Sequence, residues 1–171
     1  MSSESKSESI EKWNSLYINA IKSEPPSLLT ATIVHGFKRG SKELGIPTAN
    51  LDMDELGEEF QTFKLGIYYG WAKMNNGDIH RCVVSVGWNP YYKNEKITIE
   101  AHLLTNLEDF YGEKLSVLIC GYLRDECNFT SLEDLISCIN EDIRRCNVNL
   151  DTDASIGKYK DTSTWPVAIR K

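Results

Sequence analysis

The sequence predicts a mainly β domain, an antiparallel sheet closed into a small barrel with one helix packed on it. Three observations support this fold class. Short β-rich runs follow one another with no long helix between them, which favours antiparallel pairing, and closure would hide the sheet edges. Asn75-Asn76-Gly77 joins two of these runs and is a strong hairpin signal, because Asn and Gly tolerate positive φ. An apolar repeat at helical spacing begins after the last run.

The predicted strands are enriched in β-branched and aromatic residues and are separated by turn-forming residues. They are Leu29–His35, Thr48–Asp52, Ile67–Met74, Ile79–Val86, Ile97–Leu104 and Lys114–Leu123.

Two helices are expected outside the strands. Before the barrel, apolar residues recur at helical spacing from Ile10 to Ile21, and Pro25-Pro26 end that short amphipathic helix. After it, Thr130-Ser131-Leu132-Glu133 fits a capping box, so a helix should open at Thr130 and end near Asn147 to Asn149. Its apolar face is predicted to consist of Leu132, Leu135, Ile136, Ile139 and Ile143.

These elements divide the chain of 171 residues into three parts. We expect a disordered lead and accessory helix over residues 1–27, a barrel with its helix over 28–149, and an irregular tail over 150–171. Trp165 and Val167 are candidates for anchoring that tail.

Composition restricts the function classes. The formal net charge is -6, from 19 Lys plus Arg against 25 Asp plus Glu, which argues against broad nucleic-acid binding. The five cysteines contain no C-x-x-C pair, which predicts free thiols in a reducing compartment. No apolar run reaches the roughly 18 residues of a membrane span, so we expect a cytoplasmic protein without a membrane partner.

The segment from Gly36 to Asn50 combines glycines with basic residues directly after a predicted strand. Glycine lets backbone N–H groups approach phosphate closely, and cations such as Lys42 offset its charge. A plain surface turn is the alternative. The segment lacks the Walker A pattern, because no G-x-x-x-x-G-K-[ST] occurs and a strand rather than a helix follows.

The end of this segment, Pro47-Thr48-Ala49-Asn50, offers oxygen ligands. Thr48 and Asn50 lie two residues apart on an extended segment and therefore point to one face, where both could reach one Mg²⁺ ion. On local physics alone, a turn followed by a half-buried strand is the better explanation of these residues.

A third candidate is Glu100 in the middle of the strand Ile97–Leu104. Alternation places Glu100 and His102 on one face, opposite Ile99 and Ala101. A carboxylate at mid-strand is disfavoured by propensity, so it is either a solvent-facing residue or a general base aimed at a bound hydroxyl.

Taken together, these segments resemble the riboflavin kinase (flavokinase) family, in its monofunctional eukaryotic form. The resemblance begins with Gly36-x-x-x-Gly40-Ser41-Lys42-x-x-Gly45-Ile46-Pro47-Thr48-Ala49-Asn50 and covers about Ala31 to Asn147. Further segments similar to family motifs follow in family order. They are Gly66–Trp71, Val84–Pro90, Glu100-Ala101-His102, Asp109–Gly112 and Gly121–Arg124.

The resemblance implies a six-stranded antiparallel Greek-key barrel that transfers the γ-phosphate of ATP to the 5′-hydroxyl of riboflavin, giving FMN and ADP. It implies Glu100 as the catalytic base and Thr48 and Asn50 as ligands of Mg²⁺, or of another divalent ion such as Zn²⁺ or Mn²⁺. The implied nucleotide contacts are Gly36, Lys42, Thr48, Leu103 and Tyr111, and the implied flavin contacts are Arg124 and Phe129.

Asp125 stands where Pro is frequent in the family, and Cys127 where a longer basic residue is often seen. Only about 30 residues precede the barrel, far fewer than a domain needs, so we expect no FAD-synthesising activity. We also expect a monomer.

Two other function classes stay open at this point. A flavin- or nucleotide-binding module without catalysis would have little reason to carry Glu100, Thr48 and Asn50 together. An interaction protein acting through the Ile10 to Ile21 helix would lose a complex, but not phosphate transfer, when residues 1–24 are deleted.

Overall fold

The computed structural model describes residues 15–17, 21–36, 48–75, 77–89, 96–106, 110–161, 163 and 165, with backbone alone for 15 and 21–25. Six strands lie within this part of the chain. They are β1 (Ile21–Val34), β2 (Thr48–Leu51), β3 (Gly66–Met74), β4 (Ile79–Trp88), β5 (Ile97–Leu103) and β6 (Lys114–Arg124). Two 3-10 turns, Met53–Glu55 and Glu58–Thr62, connect β2 to β3.

The six described strands form a closed antiparallel barrel in the order β1-β2-β5-β4-β3-β6. β3, β4 and β5 are consecutive neighbours, and β6 returns to lie beside β3, which is a Greek key. The fold class expected from the sequence is confirmed. Asn75, at the β3–β4 hairpin, has φ of 38°, a positive value that Asn tolerates better than most residues.

The barrel wall separates two hydrophobic clusters. Inward-facing residues such as Ala49, Val84 and Ala101 fill the interior. Outward-facing residues of β3, β4 and β6, including Trp71 and Val83, form the second cluster under the C-terminal helix. The helix therefore covers one sector of the outer wall.

Helix α1 runs from Leu132 to Thr152, one turn further than predicted. Its N-cap is Ser131 rather than Thr130, because the Ser131 hydroxyl accepts a hydrogen bond from the Asp134 N–H at 3.1 Å. The predicted apolar face was wrong in part, since Leu132 is 61% exposed. Ile136 is exposed too, whereas the buried positions are Cys138, Glu141, Asp142, Cys146 and Leu150.

The N-terminal prediction also needs correction. Ile21, expected to end a helix, begins β1, and its backbone pairs with Tyr122 of β6. Pro25 and Pro26 fall where the pairing register shifts between Lys22 and Ser27, a bulge that tolerates missing donors. Ser15–Tyr17 form a 3-10 turn. The remainder of the predicted helix and lead, residues 1–14 and 18–20, lies outside the described residues.

The tail is more ordered than expected. A short helix α2 (Ala154–Gly157) and a 3-10 turn (Lys158–Lys160) follow α1. The Trp165 indole donates to the Tyr159 carbonyl at 2.6 Å, which agrees with an anchoring role; Val167 lies outside the described residues.

All five cysteines are free, as expected. Among the described helices, none is both long enough and apolar enough to span a membrane.

Candidate active site

Asn50 and Glu100 are direct cross-strand partners on β2 and β5. The neighbouring pair on the same face is Thr48 with His102. Ala49 and Ala101, which alternate with them, are fully buried in the barrel, so the four polar side chains lie on its outer wall. Residues directly opposite in an antiparallel pair have Cβ atoms about 4.5–5.5 Å apart. The two expected metal ligands and the expected base are therefore brought together.

β4 completes this row on the other side of Glu100. Ser85 is the cross-strand partner of Glu100, so an amide, a carboxylate and a hydroxyl stand side by side on three strands. Within the part of the chain that the structure describes, the Glu100 carboxylate has no hydrogen-bond or ion-pair partner. Sequence reasoning missed Ser85, because only the register of β4 against β5 places it there.

Gly36 lies directly against the Asn50 side chain. A Cβ added to Gly36 would be 2.1 Å from Asn50 Nδ2, a distance that real Cβ atoms do not show. Glycine at this position therefore allows the chain leaving β1 to pass closely over Asn50. Lys42 lies outside the described residues.

Tyr111 lies beside the chain that leaves β1. Its ring stacks on His35 with a centroid separation of 3.8 Å, and the side chain is 38% exposed. The turn carrying Tyr111 is fixed to β1 by the hydrogen bond from the Gly112 N–H to the Ile33 carbonyl, 2.8 Å. His35 was not predicted as a site residue; its position immediately before Gly36 was the available signal.

A cavity of about 450 Å³ opens beside Asn50. Its wall includes His35, Asp52, Lys96 and Thr98, and its volume falls within the range of small-molecule sites. Polar groups from β2, from β5 and from the residue that follows β1 thus line one cavity.

His102 is a neutral neighbour of this site. Burial lowers the pKa of its imidazole to about 4, so it carries no charge near pH 7. It therefore does not compete electrostatically with a cation beside Thr48.

Leu103, an expected nucleotide contact, has its side chain in the barrel core, where it is 1% exposed. Any contact it makes with a ligand outside the barrel would have to use its backbone.

Arg124 and Phe129 lie at the two ends of the loop that follows β6. The Arg124 side chain is buried, and its guanidinium carbon lies 5.9 Å from the Phe129 ring centroid. Its Nε and Nη2 donate to the two carboxylate oxygens of Asp142 on α1, at 2.8 and 2.9 Å. The guanidinium is thus already engaged within the protein, while Phe129 is partly exposed.

Asp125, the residue that departs from the family pattern, is fixed at the start of this loop. Its carboxylate accepts a hydrogen bond from the Tyr122 hydroxyl and forms an ion pair with Lys64 at 3.1 Å. Hydrogen bonds from Tyr122 and then Lys64 hold the pKa of Asp125 below its usual value.

The same loop reaches the wall that carries Glu100. Glu126 Oε1 lies 2.7 Å from the position of a Cβ built on Gly87. Gly87 is two residues from Ser85 on β4, about 7 Å along an extended strand. The loop with Phe129 and the row with Glu100 therefore face the same side of the molecule.

The donor set suits a hard divalent cation that keeps other oxygen ligands. Among the described residues, no group of three His, Cys, Asp or Glu side chains could hold a metal alone. Thr48 and Asn50 supply oxygen donors on one face of β2, and Mg²⁺ commonly takes few protein ligands with phosphates and water completing its shell. The residues present therefore fit a cation bound together with phosphate.

The fold and the site together define the class of protein. It is a small Greek-key barrel whose outer wall carries a polar site beside Gly36 and, on the same side, the loop with Phe129. The family profile described as riboflavin kinase (flavokinase) matches residues 24–150. The chain belongs to the riboflavin kinase family.

Curated relatives agree with this assignment, and a solved structure agrees with the fold. The chain is 50% identical to the riboflavin kinase of Mus musculus over 150 residues, covering 85% of this chain and 94% of the mouse protein. It is 49% identical to the riboflavin kinase of Homo sapiens, with the same coverage. The crystal structure of riboflavin kinase from Trypanosoma brucei superposes with a TM-score of 0.65 over 85% of this chain and 94% of that one; at 23% identity this likeness concerns the fold.

Proposed function

We propose that this protein phosphorylates the 5′-hydroxyl of riboflavin with ATP, and that Glu100 is the base and Thr48 and Asn50 hold a divalent cation, normally Mg²⁺. Family membership supports the reaction. The observation that carries the assignment of roles is the pairing of Asn50 with Glu100, because it sets a metal-type oxygen donor opposite a carboxylate.

In this proposal, the loop from Gly36 covers the nucleotide phosphates, with Lys42 offsetting their charge. Thr48 and Asn50 hold the cation, which when bound neutralises charge on the transferring phosphate. Tyr111, stacked on His35, offers an exposed aromatic surface for the adenine ring.

Glu100 accepts the proton of the riboflavin 5′-hydroxyl while the 5′-oxygen forms a bond to the γ-phosphorus of ATP. The bond from that phosphorus to the β,γ-bridging oxygen breaks, and its electron pair leaves with ADP. Phosphoryl transfer needs positioning and charge neutralisation more than covalent assistance. The fixed register of β2 against β5 supplies such positioning, because it holds Asn50 opposite Glu100.

Phe129 provides an apolar face for the isoalloxazine ring. Since Glu126 of the same loop lies over Gly87, a flavin bound against Phe129 can extend its ribityl chain along the wall toward Glu100. The Asp125 contacts with Tyr122 and Lys64 stabilise the start of the loop.

The experiment is to incubate the purified protein with riboflavin, ATP and MgCl₂, and to quantify FMN and ADP chromatographically. We expect equal amounts of both products, and none when EDTA replaces the metal or when 5′-deoxyriboflavin replaces riboflavin. ADP without FMN would contradict the proposal, because the phosphate would then have been transferred to water. Riboflavin binding without any turnover would also contradict it and would favour a binding module.

A further inference from the structure

A buried polar cluster lies beneath the loop that follows β6. It consists of Tyr17, Arg124 and Asp142, which are 5%, 4% and 3% exposed. Asp142 is its centre, since one carboxylate oxygen accepts from both Arg124 Nε at 2.8 Å and the Tyr17 hydroxyl at 2.7 Å. The other oxygen accepts from Arg124 Nη2 at 2.9 Å.

The remaining edge of the Arg124 guanidinium points to the loop. Nη1 donates to the Asp125 carbonyl at 3.0 Å, and the guanidinium carbon lies 5.9 Å from the Phe129 ring centroid. A single planar group thus connects helix α1 to both the first backbone carbonyl and the aromatic ring of the loop. Its bidentate geometry leaves little orientational freedom.

Tyr17 brings the segment before the barrel into this cluster. Burial, and then the charge of Asp142, raise the pKa of the Tyr17 phenol above its ordinary value, so the hydroxyl stays a donor. The Arg145 guanidinium covers the Tyr17 ring at 3.8 Å, and Cys138 Sγ lies 3.9 Å from the hydroxyl. Tyr17 is therefore contacted by two residues of α1 that lie two turns apart on the same face of the helix.

Stability alone gives a weak reason for such a cluster. Desolvating an ion pair is costly, and apolar residues of similar volume often pack as well or better. The pair does specify geometry, because hydrogen bonds fix direction whereas apolar contacts do not. Here the Arg124 guanidinium is held in one orientation, and it is the group that contacts Asp125 and Phe129.

We propose that Asp142 and Tyr17 are positioning residues for the flavin, acting by fixing Arg124 and through it the loop from Asp125 to Phe129. This inference rests on the proposed function and gives the segment before the barrel a part in substrate affinity. Neither residue is expected to touch riboflavin.

The test measures the KM for riboflavin, the KM for ATP, kcat and riboflavin binding by fluorescence titration. Asp142→Asn keeps the shape but removes the charge, and should raise the riboflavin KM roughly tenfold, the scale of one lost charge-assisted hydrogen bond. Tyr17→Phe removes only the hydroxyl, and should raise it about threefold, as for one neutral hydrogen bond. The KM for ATP should stay unchanged in both.

Asp151→Asn is the matched control. Asp151 lies on the same helix and pairs with Arg81, remote from the loop, so its substitution should leave the riboflavin KM unchanged. A general loosening of α1 would instead raise the riboflavin KM in the control as well, and this would overturn the proposal.

A double variant separates stability from positioning. Arg124→Met with Asp142→Leu replaces the ion pair by apolar side chains; we expect Tm to recover relative to Asp142→Asn while the riboflavin KM stays high. If Tm and the riboflavin KM both returned toward the wild-type values, the Arg124–Asp142 ion pair would only stabilise the fold.

If the Asp142 variants do not fold, Tyr17→Phe decides: a riboflavin KM unchanged from wild type overturns the inference. Absence of FMN from the wild-type protein is a different result, because it refutes the proposed function itself.

Discussion

Asn50 shows how one residue connects the two halves of the proposed site. On β2 it pairs with Glu100 of β5, and its side chain lies against Gly36. A change at either contact should therefore affect catalysis without disturbing the barrel core.

Gly36→Ala tests the loop contact. The added methyl group would force the Asn50 amide to move, and a displacement of this size costs up to about 100-fold in rate when a reacting group is misplaced. We expect kcat/KM for ATP to fall roughly 10- to 100-fold, with Tm within a few degrees of wild type, measured by FMN formation and thermal unfolding. Wild-type kinetics would show that the Asn50 side chain has no part in the site.

Thr48→Val tests the cation. Valine keeps the β-branched shape on β2 but removes the oxygen donor, so activity should fall more at low Mg²⁺ than at saturating Mg²⁺. Thr30→Val, on the outer side of β1, is the control and should keep the wild-type Mg²⁺ dependence. An equal loss at all Mg²⁺ concentrations would argue against Thr48 as a ligand.

Among the elements, the 3-10 turn Met53–Glu55 joins two strands through one carboxylate. Glu55 accepts hydrogen bonds from the Thr32 backbone at 2.9 Å and hydroxyl at 2.6 Å, and pairs with Lys114. The turn therefore links β1 and β6 at the barrel end.

This carboxylate gives stability a defined pH dependence. The hydrogen bonds from Lys114 and then Thr32 lower the pKa of Glu55 to about 2, from an ordinary 4.5. Because the folded-state pKa is depressed, the stabilisation is present above about pH 4.5 and is lost as pH falls through about 2. Glu55→Gln should flatten Tm against pH across that window, and Lys114→Met should do so in part. A Glu55→Gln curve parallel to wild type would contradict this.

Local pattern predicted most elements but not those defined by distant partners. All six strands and the β3–β4 hairpin were expected from short-range signals. The start of β1 was not expected, since the apolar spacing around Tyr17 and Ile21 resembled that of a helix. The strand forms because Ile21 pairs with Tyr122, which is 101 residues further along the sequence. The buried face of α1 was misjudged for a related reason, because Asp142 is buried by its partner Arg124 and not by its own hydrophobicity.

At the scale of the molecule, one part of the outer barrel wall is covered by the C-terminal helix and another part carries the proposed site. On the outer face of β4, Val83 packs under the helix cluster, whereas Ser85 and Gly87 face the open site. From sequence, Thr48, Asn50 and Glu100 could be proposed individually through a family resemblance. Their convergence, and the position of Ser85 beside Glu100, follow from strand register, which a single sequence does not specify.

The central claim is that Glu100, standing opposite Asn50, is the base for transfer to the flavin hydroxyl. The most direct measurement is the single-turnover rate of FMN formation by Glu100→Gln at saturating riboflavin, ATP and Mg²⁺, with Glu58→Gln on an exposed 3-10 turn as control. We expect a fall of about 10²- to 10⁴-fold for Glu100→Gln, unchanged riboflavin affinity, and a wild-type rate for the control. A Glu100→Gln rate close to wild type would contradict it.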